Sequence, residues 1–366
     1  MNTINIHKLK KMNSPKLSSR QNFNGNIYVR TPLIESVPLR KYCAYRKVYL
    51  KMENCQPSGS FKLRGISNLC KYALSAGYTE VVCPSGGNAG LATAYAAMKL
   101  KIPCHIIVGQ KTPSIICDAV REYGATVERY GIVWEQANQH AIETTIDSKT
   151  AFLLYGHSTI VDEIAQDLDG EIPSIIVTCC GGGGLLCGIV QGIRRHGWEK
   201  RTKILAMETK GTHSFNLCVK NGGRRTRLNE ITSLVSSLAA NEVCEKVVEY
   251  FRDNQPQILS RLITDVQAAE TCVHFANDHR FLIGLACATS IAAVYTGIVE
   301  RIITKNEDLH ESLYDKRDEQ EMTDNEGPIV VIVCGGCEIS LNHLKEYRDL
   351  FDTQKSIENE NISINS

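Results

Sequence analysis

TEVVCPSGGNAGLATAYAAMKLKIPCHIIV, which runs from Thr79 to Val108, is the stretch that decides the fold of this chain. Its apolar start, ending at Cys83, predicts a strand, the Ala-rich part predicts a helix, and the last residues predict a second strand. A strand, a helix and a strand in this order form a βαβ unit with two parallel strands. The loop from Ser85 to Asn88 precedes the helix. Its backbone N–H groups and the Asn88 amide can bind a carboxylate or a phenolate oxygen.

The same pattern recurs in SIIVTCCGGGGLLCGIVQGIRR, from Ser174 to Arg195, where an apolar strand leads into four glycines, Gly181 to Gly184. Backbone without side chains can approach an oxyanion closely, and a helix dipole contributes about 0.3–1 kcal/mol per charge. The tetraglycine loop therefore predicts a phosphate site, with an ordinary tight turn as the alternative. It matches neither the P-loop nor the dinucleotide-binding motif. A third apolar strand, GPIVVIVCGG, ends near Cys334.

SGSFKLRG, from Ser58 to Gly65, places Lys62 where a strand leads into a helix. The preceding KVYLKME predicts a strand, and Ser60 is predicted to cap the helix. In the first helical turn, unpaired N–H groups and the positive end of the dipole disfavour an ammonium and lower the pKa of the lysine. Such an amine can form a Schiff base with pyridoxal phosphate. The alternative is a solvated surface lysine.

Predicted strands and helices alternate over the rest of the chain. This alternation predicts the α/β class, with open, mostly parallel twisted sheets that are covered by helices and bind ligands beyond the carboxyl ends of the strands. The predicted helices cover Pro113 to Tyr123, Trp134 to Ser148, Glu242 to Asp253 and Leu285 to Ile303. The predicted strands cover Thr126 to Tyr130, Ala151 to Phe152, Lys203 to Thr209 and Leu262 to Val266.

Composition excludes several classes of protein. The 366 residues are 43% apolar, and no apolar run is long enough to cross a membrane. A net charge of +1 argues against a nucleic-acid binder. The odd number of cysteines, 15, and the lack of a signal peptide predict a reduced, cytoplasmic setting. The first 22 residues are basic, without any acid, and are predicted to be disordered, with a mitochondrial transit peptide as the alternative.

Cys334 and Cys337 form a C-x-x-C pair after the last strand, which can indicate a redox or zinc motif. No second C-x-x-C accompanies it in the sequence, so we prefer a role for Cys334 in a ligand pocket.

Eight separated motifs together resemble one family, the L-serine dehydratase / L-threonine deaminase group of the fold-type II pyridoxal-phosphate enzymes. The resemblance covers about residues 31–350, and the motifs occur in the order of the family: TPLIES, ENCQPSGSFKLRGI, CPSGGNAGLATAYAA, GHSTIVDEI, CCGGGGLLCGI, AMETKGTHSFN, EITSLVSSLA and VVIVCGG.

The resemblance implies a set of cofactor residues. Lys62 would be the catalytic Schiff-base lysine, Phe61 and Ser237 would flank the two faces of the cofactor ring, and Cys334 would face the pyridine nitrogen. Asn88 would lie near the 3-hydroxyl. The cofactor phosphate would be bound by Gly182, Gly183, Gly184 and Leu185, and the substrate carboxylate by Ser85, Gly87, Asn88 and Ala89.

The resemblance also implies a cation site beside the phosphate loop. Glu208 would supply the carboxylate, and backbone oxygens would come from Gly182, Thr212, Leu238 and Ala240. Oxygen ligands with a single carboxylate suit K⁺ or Mg²⁺ better than zinc. An ordinary carboxylate at a strand end is the alternative for Glu208.

The domain organisation of the family places the cofactor in a cleft between two domains. A large domain would comprise 23–61 and 156–351, with an acidic insert over 305–326, and a small domain would comprise 62–155. Disordered segments are expected over 1–22 and 352–366.

The function implied is that of a homodimeric ammonia-lyase of amino-acid metabolism, which eliminates water from L-serine or L-threonine to give pyruvate or 2-oxobutanoate plus ammonia. A thiol at Cys334 favours elimination, since it does not favour a protonated pyridine. Three departures from the family leave other readings open: a short segment at Leu153 to Tyr155, GLACA in place of a Glu-Pro helix start, and Cys337. These readings are a serine racemase-like enzyme, a β-replacement enzyme, and a catalytically weakened relative that binds cofactor and amino acid.

Overall fold

The computed structural model describes residues 5–7, 25–132, 134–144, 151–304, 326–336 and 339–349. The chain divides into two compact units, Met1–Arg30 with Cys55–Thr159 and Thr31–Asn54 with Ile160–Ser366. Most of the predicted N-terminal extension, nearly all of the acidic insert, the tail after residue 352 and Cys337 lie outside the described residues. No helix within the described ranges has the length and apolar character needed to cross a lipid bilayer.

The first unit contains a four-stranded sheet in the order β1-β4-β5-β6. Its strands are β1 (Asn5–His7), β4 (Glu80–Cys83), β5 (Cys104–Val108) and β6 (Thr126–Arg129). β4, β5 and β6 are parallel, and β1 runs antiparallel to β4. The helices of this unit are α2 (Lys62–Ser75), α3 (Asn88–Leu100), α4 (Ser114–Glu122) and α5 (Trp134–Thr144). The βαβ unit predicted from Thr79 to Val108 is β4, α3 and β5.

The second unit contains a six-stranded sheet in the order β2-β3-β10-β7-β8-β9. Its strands are β2 (Leu33–Glu35), β3 (Val48–Lys51), β7 (Ile175–Cys179), β8 (Lys203–Thr209), β9 (Ile258–Ile263) and β10 (Ile329–Ile332). Only β2 is antiparallel among these described strands. Every residue of β7 and β10 is buried, as expected for central parallel strands that are covered on both faces.

The helices of the second unit cover this sheet. They are α1 (Val37–Arg40), α7 (Gly184–Arg195), α8 (Ser214–Lys220), α9 (Glu245–Asp253), α10 (Asp265–His279), α11 (Leu285–Tyr295), α12 (Ile298–Ile303) and a helix over 341–349. One further helix, α6 (Ala151–Asp167), belongs partly to each unit, because the division between the units falls within it. The predicted α/β class with two mostly parallel sheets is confirmed.

A buried ion pair joins distant segments of the second unit. The fully buried Lys51 ammonium in β3 lies 2.7 Å from a carboxylate oxygen of Glu163 in α6 and donates to the Thr31 carbonyl oxygen at 2.7 Å. The Thr31 hydroxyl donates to Glu53 at 2.5 Å. Because removal of one partner would leave a buried charge, this cluster makes the pairing of β3 with α6 specific.

Three segments lie in a different unit from the domain that the sequence predicts for them, and the first of these is 25–30, which belongs to the first unit. Cys55–Phe61 belongs to the first unit. There the Gln56 side-chain amide accepts a hydrogen bond from the Val29 N–H and donates one to the Val29 carbonyl oxygen. Gly156–Thr159 also belongs to the first unit, because a methyl group at Gly156 would overlap the Arg64 carbonyl oxygen.

Three predicted elements are wrong in type or extent. Ala151 and Phe152 begin α6 and do not form a strand, because the buried residues after them follow a helical spacing, as Ile160, Val161 and Ile164 show. The strand expected from Leu262 is β9, which ends at Ile263, because Thr264 caps α10 in a capping box with Gln267.

The single helix predicted over Leu285 to Ile303 is two helices. Gly297, with a φ of 72°, separates α11 from α12, and this left-handed conformation favours glycine.

Candidate active site

Lys62 is the first residue of α2, as the sequence predicts, but Ser60 does not cap this helix. Phe61 occupies the N-cap position without a side-chain hydrogen bond. The Ser60 hydroxyl is buried and has no hydrogen-bond partner within the described part of the chain. No side chain therefore accepts a hydrogen bond from the first N–H groups of α2, and the positive end of the helix dipole lies next to the lysine.

A neutral histidine packs against this turn. Because Gly156 lets α6 approach the backbone of α2, the His157 ring lies edge-to-face with Phe61, with 4.9 Å between ring centroids. Burial lowers the pKa of His157 to about 3, and the positive charges of Arg64 and Lys62 act in the same direction. The imidazole is therefore uncharged and fixes the Phe61 ring beside the lysine. Sequence reasoning missed this contact, although the GHSTIVDEI motif contains both Gly156 and His157.

The four residues predicted to bind the substrate carboxylate are contiguous with the start of α3. Gly87 is the N-cap of this 13-residue helix, and no side chain caps it. The Gly87 N–H donates to the Ser85 hydroxyl at 3.4 Å. A methyl group at Gly90 would overlap the Ser85 carbonyl oxygen, so the loop folds closely over the helix start. A glycine N-cap and the positive end of the helix dipole make this loop suitable for a carboxylate.

An electrostatic effect links this loop to the lysine. Cys83 ends β4, two residues before Ser85, and burial raises the pKa of its thiol to about 11 while the charge of Lys62 lowers it. Lys62 thus lies close enough to the base of the loop to influence a buried thiol there. The first unit brings together Phe61, Lys62, Ser85, Gly87, Asn88 and Ala89.

The tetraglycine loop lies at the N-terminus of α7. Gly183, the N-cap residue, has a φ of 94°, and a methyl group there would overlap the Val247 side chain. A methyl group at Gly181 would lie 3.3 Å from the Leu238 Cα. These glycines are required by the close approach of α9 and of the turn Ser236–Leu238. The result is a cradle of backbone N–H groups that suits a phosphate.

Cys334 lies just after β10 and contacts Cys179, the last residue of β7. The two sulfur atoms are 3.6 Å apart. Hydrogen bonds with the thiols of Cys179 and Cys287, together with burial, raise the pKa of Cys334 well above its usual value. Cys334 is therefore a neutral thiol. Ser237, in the turn Ser236–Leu238, is exposed.

Glu208, near the end of β8, is fully buried. Burial raises the pKa of its carboxyl to about 8. The N–H groups of Phe215 and Asn216 donate to the carboxyl at 2.8 and 2.7 Å, and these hydrogen bonds lower the pKa in part. The Glu208 charge also raises the pKa of Cys180, next to the tetraglycine loop. A buried carboxyl group therefore lies beside this loop, and it also accepts hydrogen bonds from the start of α8.

The other residues of the predicted cation site make backbone or hydroxyl hydrogen bonds. The Leu238 carbonyl oxygen accepts from the Ala240 N–H at 2.8 Å, and the Gly182 carbonyl oxygen accepts from the Cys244 N–H at 3.1 Å. The Thr212 hydroxyl bonds to Thr209 at 2.7 Å. Across the described ranges, no group of three or more His, Cys, Asp or Glu side chains is arranged to hold a metal ion.

Each unit by itself contains groups whose chemistry suits part of pyridoxal phosphate. In the first unit, a lysine at an uncapped helix start can bind an aldehyde. In the second unit, the tetraglycine cradle can bind a phosphate, and Cys334 offers a neutral thiol to a pyridine nitrogen. The second unit contributes Gly182, Gly183, Gly184, Leu185, Glu208, Ser237 and Cys334.

Comparisons with known proteins agree with this chemistry. The family model described as "Pyridoxal-phosphate dependent enzyme" matches residues 26–307. A mouse (Mus musculus) L-serine dehydratase/L-threonine deaminase is 38% identical, and the match covers 87% of this chain and 94% of the mouse protein.

Solved structures share the fold. A fungal L-serine ammonia-lyase from Rhizomucor miehei superposes with a TM-score of 0.77 at 32% identity, covering 89% of this chain and 99% of that chain. A processed threonine deaminase from Solanum lycopersicum, with a TM-score of 0.73 at 22% identity and 89% of each chain covered, shows the fold alone. The chain belongs to the pyridoxal-phosphate-dependent enzymes, and within them to the L-serine dehydratase / L-threonine deaminase family.

Proposed function

We propose that the protein is a pyridoxal-phosphate-dependent L-serine and L-threonine ammonia-lyase. It removes water from the amino acid and then ammonia, and gives pyruvate from serine or 2-oxobutanoate from threonine. The observation that carries this proposal is the position of Lys62 at the uncapped start of α2, a helix that packs against α3, the helix that begins in the Ser85–Ala89 loop. A base and a carboxylate-binding loop are the two parts that an amino-acid lyase needs.

Bound pyridoxal phosphate supplies an electron-accepting ring that makes the Cα proton of the amino acid acidic. Lys62 would be the base that takes this proton. Ser85, Gly87, Asn88 and Ala89 bind the substrate carboxylate and so fix which Cα bond faces the lysine.

The ring and phosphate are held by residues of this chain. Gly182, Gly183, Gly184 and Leu185 would hold the phosphate, and Phe61 and Ser237 would hold the ring. His157 fixes the Phe61 ring by its edge-to-face contact.

Cys334 favours elimination over racemisation. Its raised pKa keeps the thiol neutral, and a neutral thiol does not stabilise a protonated pyridine as a carboxylate would. With less electron density drawn into the ring, loss of the β-hydroxyl competes better with return of a proton to Cα.

We also propose a K⁺ or Mg²⁺ ion at Glu208, with backbone oxygens of Gly182, Thr212, Leu238 and Ala240. The raised pKa of the buried Glu208 carboxyl supports this site, because a nearby cation would offset the cost of burying its charge.

The resemblance supports two finer points, a homodimer and a cytoplasmic location. The described cysteines carry free thiols, which suits a reducing compartment. Sedimentation of the purified protein tests the dimer, and a monomer at micromolar concentration would contradict it.

The test of the function is an absorbance spectrum of the purified protein, read before and after L-serine is added, with coupled detection of pyruvate. We expect a visible band from lysine-bound cofactor that changes while pyruvate forms. A band that persists without pyruvate would favour a binding-only relative, and D-serine or a β-substituted product would favour racemisation or β-replacement.

Lys62→Ala should remove both the band and the activity. Lys71→Ala is the matched control, since Lys71 lies in the same helix but bonds to the Gly25 carbonyl oxygen. Retention of full activity by Lys62→Ala would refute the assignment.

A further inference from the structure

An arginine at the edge of the first unit's sheet holds the turn that follows β5. Arg129 is the last residue of β6, which is the outer strand in the order β1-β4-β5-β6. One guanidinium nitrogen donates to the carbonyl oxygens of Gln110 and Thr112, each at 2.8 Å. Another donates to the Cys117 sulfur at 3.4 Å. The side chain therefore ties β6 both to this turn and to α4, which follows the turn.

The turn itself, residues 109–112, has one backbone hydrogen bond across it, from the Thr112 N–H to the Gly109 carbonyl oxygen at 3.0 Å. Arg129 forms no ion pair with any residue in the described part of the chain, and its positive charge faces two carbonyl oxygens of this turn. Hydrogen bonds from a charged donor are stronger than those between neutral groups. Arg129 therefore makes a large contribution to the position of the turn.

The turn covers one residue of the loop that we assign to the substrate carboxylate. A methyl group at Gly86 would lie 2.8 Å from both Cγ2 and Oγ1 of Thr112. The φ of Gly86 lies outside the left-handed region, so the Thr112 side chain is what excludes a side chain at this position. Gly86 stands between Ser85 and Gly87, two of the residues that the carboxylate would meet.

A different contact holds the loop where it meets α3 and β5. A methyl group at Gly90 would overlap the Ser85 carbonyl oxygen and would lie 3.3 Å from the Ile106 side chain of β5. Ser85 is thus placed by α3, whereas Gly86 is placed by Thr112. A change in the turn would remove the second of these contacts and leave the first intact.

We propose that Arg129 is a positioning residue for the substrate-carboxylate loop, which it holds through the turn 109–112 and the side chain of Thr112. The inference rests on the proposed function, because it takes this loop to bind the carboxylate of the amino acid. Arg129 acts through Thr112 and is not a catalytic residue.

This role has a kinetic signature. The substrate carboxylate keeps its charge from the bound state to the transition state, so a loosened loop weakens both states by the same amount. Such a loss raises KM and leaves kcat unchanged. For Arg129→Gln we expect the KM for L-serine to rise by about tenfold while kcat stays within about twofold of the wild type. The visible band of the bound cofactor should not change.

Three further variants sharpen the result. Arg121→Gln is the matched control, because it removes the same charge from the surface of α4, where Arg121 pairs with Asp118 at 2.9 Å. Its KM should equal that of the wild type. Arg129→Lys should restore part of the loss, since a single ammonium can donate to both carbonyl oxygens. Thr112→Ala should raise KM, and the double variant with Arg129→Gln should show less than the product of the two effects.

Hydrogen exchange of the purified protein, followed by mass spectrometry, gives a second measurement that needs no turnover. In Arg129→Gln, the amides of residues 85–90 should exchange faster than in the wild type and in Arg121→Gln. The amides of α2 should exchange at the wild-type rate, because none of the contacts of Arg129 lies in that helix.

Unchanged exchange in residues 85–90, or faster exchange throughout the first unit, would overturn the proposal. A fall in kcat at an unchanged KM would also overturn it. If the wild-type protein does not convert serine at all, the proposed function fails instead, and the exchange rates still decide whether Arg129 holds the loop.

Discussion

The sulfur atoms of Cys179 and Cys334 lie 3.6 Å apart at the adjacent ends of β7 and β10. Cys179 donates to Cys334, and the two strands are hydrogen-bonded neighbours in the sheet. Any group that faces Cys334 therefore meets a neutral thiol and not a charged side chain.

Replacing Cys334 by Asp should shift the reaction from elimination toward racemisation. A carboxylate would favour a protonated pyridine and stabilise the carbanion at Cα, so we expect pyruvate formation from L-serine to fall by about tenfold, or 1.4 kcal/mol. The measurement is the ratio of pyruvate to D-serine.

Cys179→Ala is the control for this change, because it removes the neighbouring thiol and adds no charge. It should lower stability by about 1 kcal/mol and leave the product ratio unchanged. An unchanged product ratio in Cys334→Asp would argue against a role for Cys334 at the pyridine nitrogen.

Replacing Gly183 by Ala should damage the phosphate cradle. The residue has a φ of 94°, which costs a non-glycine residue about 1–2 kcal/mol, and the added methyl group would overlap Val247. We expect a lower free energy of unfolding in urea and weaker retention of pyridoxal phosphate.

Gly197→Ala separates these two effects. Gly197 also has a positive φ, 68°, but nothing lies within 4 Å of an added methyl group. In this variant the free energy of unfolding should fall only by the cost of the backbone conformation, and the cofactor should be retained. Equal cofactor loss in both variants would show that crowding at Gly183 is irrelevant.

Stability should fall in acid partly because of His157. Its pKa is lowered to about 3 in the folded protein, against an ordinary value of 6.5, so the unfolded chain takes up a proton that the folded one does not. The stabilising contribution is present above pH 6.5 and is lost as pH falls toward 3. His157→Gln should therefore flatten the decline in the free energy of unfolding between pH 6.5 and 4.

His196→Gln is the control, since the His196 side chain lies on the surface and pairs with Asp162. An identical decline in the wild type and in His157→Gln would mean that His157 is not held neutral. Activity should fall in His157→Gln without any change in the shape of the pH profile, because an uncharged side chain replaces an uncharged one.

The buried Glu208 should make stability sensitive to both pH and cation. Its pKa is raised to about 8 in the folded protein, so its contribution is present below the ordinary value of 4.5 and is lost as pH rises through 8. A bound K⁺ would offset that loss. We expect melting temperatures to fall between pH 6 and 9 in tetramethylammonium chloride and to fall less in potassium chloride.

Glu208→Gln should abolish the difference between the two salts. It should also lower stability by about 1–3 kcal/mol, because the glutamine amide has one oxygen where the N–H groups of Phe215 and Asn216 bond to two carboxyl oxygens. Equal pH dependence of the wild type in both salts would argue against a cation at Glu208.

The two sheets could be predicted because three of their strands, β4, β7 and β10, are apolar runs that are followed within a few residues by glycines. The strands IIVTC and IVVI are buried on both faces. Close packing excludes any side chain at Gly90 and at Gly183, which explains the glycines that follow β4 and β7. The family was likewise predictable from its ordered motifs, and the comparisons confirm it.

Contacts that depend on distant segments could not be predicted. The pattern around Ala151 is apolar and aromatic, and its helical spacing becomes clear only after Gly156. Nothing in the local sequence shows that His157 packs on Phe61, that Cys179 touches Cys334, or that Glu208 binds the start of α8. Each of these contacts is set by tertiary packing.

The place of β3 in its sheet has a consequence for synthesis of the chain. β3 lies between β2 and β10, and Val48 pairs with Ile329. On the ribosome, β3 must therefore wait for almost the entire chain to be made before its main parallel partner exists. The parallel strands β4, β5 and β6 of the first unit emerge together much earlier. Because non-local strand pairing folds slowly, nascent β3 exposes an apolar edge for most of translation, which makes it the segment most in need of a chaperone.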